Sequence, residues 1–172
     1  TVIEREERVL ARVTTAEMSD FFTKLHLRNG VKVLTNKNVI SIKRKGNYSV
    51  VACEDGTKLD ADLIVVGVGI ILNTELAQNA GLEIDNGIKV DETTRTNDAN
   101  IYAIGDCTNH YNPHYKYHLR LESVQNAIEQ AKTAAKAICG QEVVYDTIPW
   151  FWSDQFDLKL QIIGLSKGYN NI

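Results

Sequence analysis

The 172-residue chain predicts an α/β fold, and three observations carry that expectation. Two apolar runs, Asp62-Leu63-Ile64-Val65-Val66-Gly67-Val68-Gly69 and Ile101-Tyr102-Ala103-Ile104-Gly105, are continuous rather than alternating, which marks strands covered on both faces as in a parallel sheet. A carboxylate, Asp106, follows the second run at its carboxyl end, where open α/β sheets bind their ligands. A long helical stretch, Leu119 to Cys139, carries alanines on its apolar stripe of Val124, Ala127, Ile128, Ala131, Ala135 and Ile138, as a helix lying close against a sheet would.

Composition narrows the function classes. With 44% hydrophobic and 24% charged residues, the chain has material for one or two domains with a real core. Only two prolines and no low-complexity run argue against disorder. A net charge of -3 and a pI near 5.8 point to no nucleic acid and no anionic membrane as partner. No apolar run has the length of a membrane span, and Thr1-Val2-Ile3-Glu4-Arg5-Glu6-Glu7-Arg8 is no signal peptide. The cysteines, Cys53, Cys107 and Cys139, form no C-x-x-C pair, so a dithiol redox centre is not expected and a reducing, cytoplasmic setting is.

Taken in order, Val2-Ile3-Glu4 reads as a strand ending in an acid, and with no turn before it the chain is expected to begin mid-fold. Thr14-Thr15-Ala16-Glu17 is a capping-box pattern with Thr14 as N-cap, and Met18, Phe21, Phe22 and Leu25 continue at helical spacing until Gly30. Val31 to Leu34 is the next strand. Val39 to Lys45 and Tyr48 to Glu54 form a hairpin turning at Gly46-Asn47, with Lys43-Arg44-Lys45 as a solvated strand end. After the 62–69 run, Asn73-Thr74-Glu75 starts a short helix ending before Gly81, and Ile88 to Val90 is one more strand. A polar loop is expected after Asp106. Its His110, His114 and His118 have a spacing of four that invites a zinc reading, but Pro113 breaks any continuous helix, which favours a solvated loop. The aromatic run Ile148 to Gln155 precedes Leu158 to Ile163, which alternates as a half-buried strand.

Several stretches together resemble one family. They are Val2-Ile3-Glu4 with Arg8-Val9-Leu10-Ala11-Arg12, Ala61 to Gly69, Asn73 to Ala77, Ile101 to Cys107, Arg120-Leu121-Glu122-Ser123-Val124-Gln125-Asn126-Ala127 and Pro149 to Gln155. In this order they are similar to the FAD-dependent reductases that pass electrons from NADH to a ferredoxin or rubredoxin. The resemblance covers the whole chain. It implies two dinucleotide-binding, Rossmann-like domains and a C-terminal reductase domain. Residues 1–95 would be NAD-binding without the first strand and glycine loop, 96–143 the returning segment of the FAD domain, and 144–172 the start of the last domain. The chain would then be a piece, truncated at both ends, of a reductase of roughly 400 residues.

The resemblance also implies roles. Glu4 would bind the adenosine ribose of NADH and repel the 2′-phosphate of NADPH, although the adjacent Arg5 weakens that inference; its alternative is an ordinary charged strand end. Arg12 would lie near the adenosine end of NAD, or be a solvated cation. Gly67 and Gly69 would flank the bound dinucleotide, or form a tight packing turn. Asp106 would accept hydrogen bonds from the ribityl hydroxyls of FAD, or be a turn Asp. Val124 would offer its N–H to the flavin pyrimidine edge from a helix N-terminus, or pack in the core. Trp152 would lie beside the isoalloxazine and near the electron acceptor, or be a core aromatic. Glu122 would help place the nicotinamide. Hydride transfer between stacked rings needs no general acid or base, so no catalytic side chain is expected.

Two other readings compete. The chain by itself could be a non-catalytic folded piece that self-associates as a homo-oligomer through open sheet edges. A related flavoprotein activity, of nitrite-reductase or monodehydroascorbate-reductase type, is the other.

Overall fold

The structure, a computed structural model, describes residues 1–166. It contains two compact units, Thr1–Gly69 and Ile70–Leu165.

In the first unit, β1 (Val2–Ile3) and β2 (Val33–Leu34) run parallel, Val2 opposite Val33 and Ile3 opposite Leu34. Parallel neighbours need a crossover, supplied here by α1 (Ala16–Arg28). Phe22 is the fully buried member of its apolar series, and Phe21 meets it edge-on with ring centres 5.3 Å apart. The helix starts one residue later than the sequence suggests. Thr15 is the N-cap, its side chain makes no cap bond, and the box with Glu17 is not formed. The loop explains the shift. Arg8 donates to the carbonyls of Ala11 (3.1 Å), Thr14 (2.9 Å) and Thr15 (3.2 Å) and to Ser19 Oγ (2.7 Å), while Ser19 Oγ donates to Val9 O (2.6 Å). Thr14 is buried in that clamp. At the other end Asn29 is the C-cap and Gly30 takes a φ of +74°, the left-handed turn that a residue without Cβ adopts freely.

The expected hairpin is present as β3 (Val39–Lys45) and β4 (Tyr48–Cys53), with Lys45 opposite Tyr48. A strand the sequence did not announce, β5 (Lys58–Ala61), pairs with the other edge of β4. By contrast, the 62–69 run is not a strand. Leu63, Val65 and Val68 are more than 80% exposed. Apolarity on both faces needs a neighbour on each side, and no strand among the described residues lies beside this run.

In the second unit, α2 (Glu75–Asn79) and β6 (Ile88–Val90) fall where expected. The Ile101–Ile104 run is extended but makes only one bridge, Tyr102 to Arg95, and Ile104 is exposed, so it is not the buried strand its composition suggests. A 3₁₀ turn, Gly105–Cys107, follows. The polar segment after it is not a loop. It folds as a hairpin of β7 (Thr108–Asn112) and β8 (Tyr117–Leu119), with β7 also parallel to β6. Thr108, Asn109, His110 and Asn112 are buried, and each makes a hydrogen bond inside the unit, while Asn109 Oδ1 and His110 Nε2 are sealed without one among the described residues.

Helix α3 (Val124–Ile138) begins after Leu119, which ends β8, and Ser123 caps it by accepting the Asn126 N–H at 3.2 Å. Its buried residues are Asn126, Gln130, Thr133 and Ala134, so the inward face is polar, while Val124, Ile128 and Ile138 of the expected apolar stripe are exposed. Finally β9 (Trp150–Gln155) and β10 (Leu158–Ile163) form an antiparallel hairpin with Leu158 opposite Gln155, and β10 alternates between half-buried and exposed residues as its sequence predicts. Among the described residues, no helix is long and apolar enough to cross a membrane.

Candidate functional site

The second unit gathers three of the expected residues around the 3₁₀ turn and the start of α3. Asp106 sits in the turn, exposed, and its carboxylate makes no hydrogen bond or ion pair among the described residues. It therefore does no capping or turn-closing work. Arg120 fixes the turn from outside, with Nη1 donating to Asp106 O at 3.0 Å and Nη2 to Glu122 Oε1 at 2.7 Å. Glu122 is thereby held beside the same turn. Val124 is the first residue of α3 and is 56% exposed, which excludes a core role. Since Ser123 Oγ takes the Asn126 N–H, the N–H groups of Val124 and Gln125 stay outside the helical ladder, at the electropositive end of the helix.

Close packing brings turn and helix together. Gly105 has φ +80°, and a Cβ built there would lie 3.6 Å from Ala127 Cβ. The deeper link is Gln130, fully buried one helical turn below Asn126. A backbone N–H can only donate, so the Gln130 carboxamide oxygen must face Gly105 N, at 2.7 Å. Thr108 Oγ lies 2.9 Å from both Gly105 O and Gln130 Oε1, and its one proton serves either. On the other side Gln130 Nε2 donates to His110 Nδ1 at 3.3 Å, which leaves the imidazole proton on Nε2. Burial, and then the charge of His118, pulls the His110 pKa down to about 4, so the ring is neutral at neutral pH. Tyr145 packs edge-on to His110 with centres 4.9 Å apart and donates to Asn126 Oδ1 at 2.8 Å. Its pKa is pushed up to about 12, by burial first and then by Glu129.

Trp152 lies on β9, 43% exposed, its ring centre 5.2 Å from that of Trp150 on the same outward face; it is not a core aromatic. Trp150 Nε1 donates to Gln161 Oε1 across the hairpin at 2.9 Å. The histidines do not share a helix face. His110 is buried in β7, His114 Nε2 lies 2.6 Å from Asp146 O, and His118 on β8 stacks edge-wise with Tyr111. Among the described residues, no group of three or more His, Cys, Asp or Glu side chains is arranged to hold a metal.

The remaining expected residues belong to the first unit. Glu4 stands at the carboxyl end of β1, half-buried, with its N–H on Leu34 O at 2.8 Å and its Oε1 accepting the Glu6 N–H at 2.9 Å. Arg12 is exposed on the loop that Arg8 organises and makes no ion pair among the described residues. A Cβ built on Gly67 or Gly69 would meet nothing within 4 Å, so neither serves a tight packing turn.

Sequence reasoning missed Gln130, named Arg120 only within a family stretch, and weighed His110 only as a metal ligand. For Gln130 a signal existed: a polar residue interrupts the alanine-rich side of an otherwise amphipathic helix.

The protein-family model for pyridine nucleotide-disulphide oxidoreductases matches residues 1–131, and a reductase C-terminal model matches residues 150–172. Putidaredoxin reductase of Pseudomonas putida is 42% identical over 100% of this chain, which covers 42% of that protein. A rubredoxin-NAD(+) reductase of the same species is also 42% identical, over 100% of this chain and 45% of its own length. Among solved structures, the ferredoxin reductase for the CYP199A2 system of Rhodopseudomonas palustris superposes with a TM-score of 0.94 at 43% identity, covering 99% of this chain and 42% of that one. The reductase in a covalent putidaredoxin reductase–putidaredoxin complex gives 0.92 at 41% identity, covering 98% of this chain and 41% of that one. The chain thus spans less than half the length of these relatives. On the match of its first 131 residues and on these similarities, it belongs to the pyridine nucleotide-disulphide oxidoreductase family.

Proposed function

We propose that this chain is the part of an NADH-dependent flavoprotein reductase that completes the FAD site and carries much of the NAD site, in a protein that passes electrons to a ferredoxin or rubredoxin. One observation carries the reading. The Gly105–Cys107 turn, with an unpaired carboxylate at Asp106, is bonded to a helix whose first N–H groups are also unpaired. A carboxylate acceptor beside two free backbone donors matches a ligand with hydroxyls on one part and a hydrogen-bond-accepting ring edge on another, which is the chemistry of the ribityl chain and pyrimidine edge of FAD. Bound FAD would supply the hydride acceptor and one-electron donor. This chain's residues bind and orient. Asp106 would accept from the ribityl hydroxyls, Val124 N–H would donate to the ring edge, Glu122 would help place the nicotinamide, and Trp152 would lie beside the isoalloxazine near the electron acceptor.

In the first unit, Glu4 and Arg12 would take the adenosine end of NADH, and Gly67 and Gly69 its close approach. We assign residues 1–95 to NAD binding, 96–143 to FAD binding and 144–172 to the reductase C-terminal domain, of which 167–172 lie outside the described residues. All three cysteines are free, which fits a cytoplasmic setting.

The test uses the full-length protein that carries this chain. It is expected to purify with a flavin absorption band that NADH bleaches, and to reduce a ferredoxin or rubredoxin from an acceptor panel. A full-length product that never retains FAD defeats the proposal. A second reading, self-association of the chain alone, draws on the exposed apolar run around Leu63, Val65 and Val68. Light scattering that shows only monomer counts against it.

A further inference from the structure

We propose that Gln130 is a positioning residue for FAD: its carboxamide sets the Asp106 turn at a fixed distance from the start of α3. The inference rests on the flavin reading above. Two parts of the proposed ligand, the hydroxylated chain and the ring edge, are contacted from different segments, the 105–107 turn and residues 124–125. One ligand can engage both only if their spacing is held. The bonds that close the turn, Thr108 N–H and Oγ to Gly105 O, are internal to it and do not fix its distance from α3, and the Ile101–Ile104 segment before it makes a single bridge.

Gln130 is the buried side chain that spans this gap from within α3. Its oxygen takes the Gly105 N–H at 2.7 Å and lies 2.9 Å from Thr108 Oγ, so it grips the turn at its first residue and at the residue after its last. Its nitrogen is committed to His110 Nδ1, on the strand that continues from the turn. The amide orientation is therefore determined at both ends. The Gly105 N–H, which can only donate, holds the amide oxygen toward the turn, and in the buried neutral His110 ring the proton then sits on Nε2 and leaves Nδ1 as the acceptor. Arg120 braces the turn from the solvent side through Asp106 O. Being partly exposed it has a water alternative, which a fully buried amide lacks.

The test compares variants of the full-length protein by FAD dissociation constant, the absorption spectrum of bound flavin, and thermal stability of the apoprotein. Gln130→Leu strands the Gly105 N–H and releases the turn, and the Asp106 charge-assisted hydrogen bond to the ligand is weakened. The FAD dissociation constant is expected to rise about 10- to 100-fold, with a shifted flavin band. Gln130→Glu keeps an oxygen for Gly105 N–H and is expected to recover most of that affinity. Lys132→Gly weakens α3 from its exposed face, where Lys132 pairs with Glu129 and with neither Gln130 nor the turn. It is expected to lower apoprotein stability and leave FAD affinity within about twofold, which separates positioning from simple loss of helix stability. If Gln130→Leu does not fold, Gln130→Glu and Thr108→Val decide on the same readouts: unchanged FAD affinity in Thr108→Val together with a full loss in Gln130→Glu overturns the proposal. A Gln130→Leu protein that binds FAD as the parent does, with the same spectrum, overturns it outright. A parent protein that binds no FAD sinks the flavin reading instead, a distinct outcome.

Discussion

Tyr145→Phe offers a direct measure of the buried polar network. The Tyr145 hydroxyl donates to Asn126 Oδ1 at 2.8 Å, and both residues are buried. No other donor to that oxygen exists among the described residues. Deleting the hydroxyl keeps the ring, its edge contact with His110 and almost all its volume, so the cavity cost is small. The remaining cost is an amide oxygen sealed from water without a proton, about 1–3 kcal/mol. Because burial raises the phenol pKa to about 12, the hydroxyl remains a donor across the whole neutral range, and any pH from 7 to 9 suits the measurement. Native-state hydrogen exchange on α3 amides reads the loss locally, and about 5- to 150-fold faster exchange is expected in residues 124–138. Exchange unchanged within twofold would refute the reasoning. It would mean that water reaches Asn126 or that the oxygen finds another donor at no cost.

Two further outcomes follow from the same unit. His110 takes up a proton at about 4 in the folded state and near 6.5 when unfolded. The unfolded chain thus binds more protons between these values, and stability is complete above pH 6.5 and declines as pH falls toward 4, by roughly 3 kcal/mol in total; an NMR titration of the His110 ring with a midpoint near 6.5 would contradict this. Gly87 takes φ +130°, and a Cβ there would sit 2.8 Å from Cys107 O and 3.3 Å from Asn109 N. Gly87→Ala should cost roughly 2 kcal/mol or more, seen as a lowered thermal midpoint, and an unchanged midpoint would disprove so close an approach.

Local signals were legible wherever the physics was local. The two-residue Gly46-Asn47 turn, the Gly30 stop and the alternation of Leu158–Ile163 each depend on backbone preference or on a period, and each appears where the residues put it. Failures cluster where a segment's state is decided by its neighbours. The 62–69 run is as apolar as any buried strand, yet burial requires flanking strands that the described residues do not supply. Residues 108–112 show the converse. Their composition reads as solvated loop, but Thr108, Asn109, His110 and Asn112 each make at least one hydrogen bond within the unit, and pairing between residues 108 and 130 or 126 and 145 has no trace in a local window. The cap of α1 moved from Thr14 to Thr15 for the same reason, since Arg8 reaches into the loop from outside the motif. At the candidate site, Asp106 and Val124 were legible from a family pattern, whereas Gln130 became visible only once its partners were in view.

The chain has just two tryptophans, and the β9–β10 hairpin carries both, 39° apart in plane and with centres 5.2 Å apart. Indoles this close share excitation, so the tryptophan emission of the chain comes from one small patch and not from an average over the molecule. Any carrier protein that settles on this hairpin would dim or shift that glow without a label being attached, and a nearby flavin would drain it. The molecule therefore has its own lamp at the place where contact with an electron acceptor is proposed.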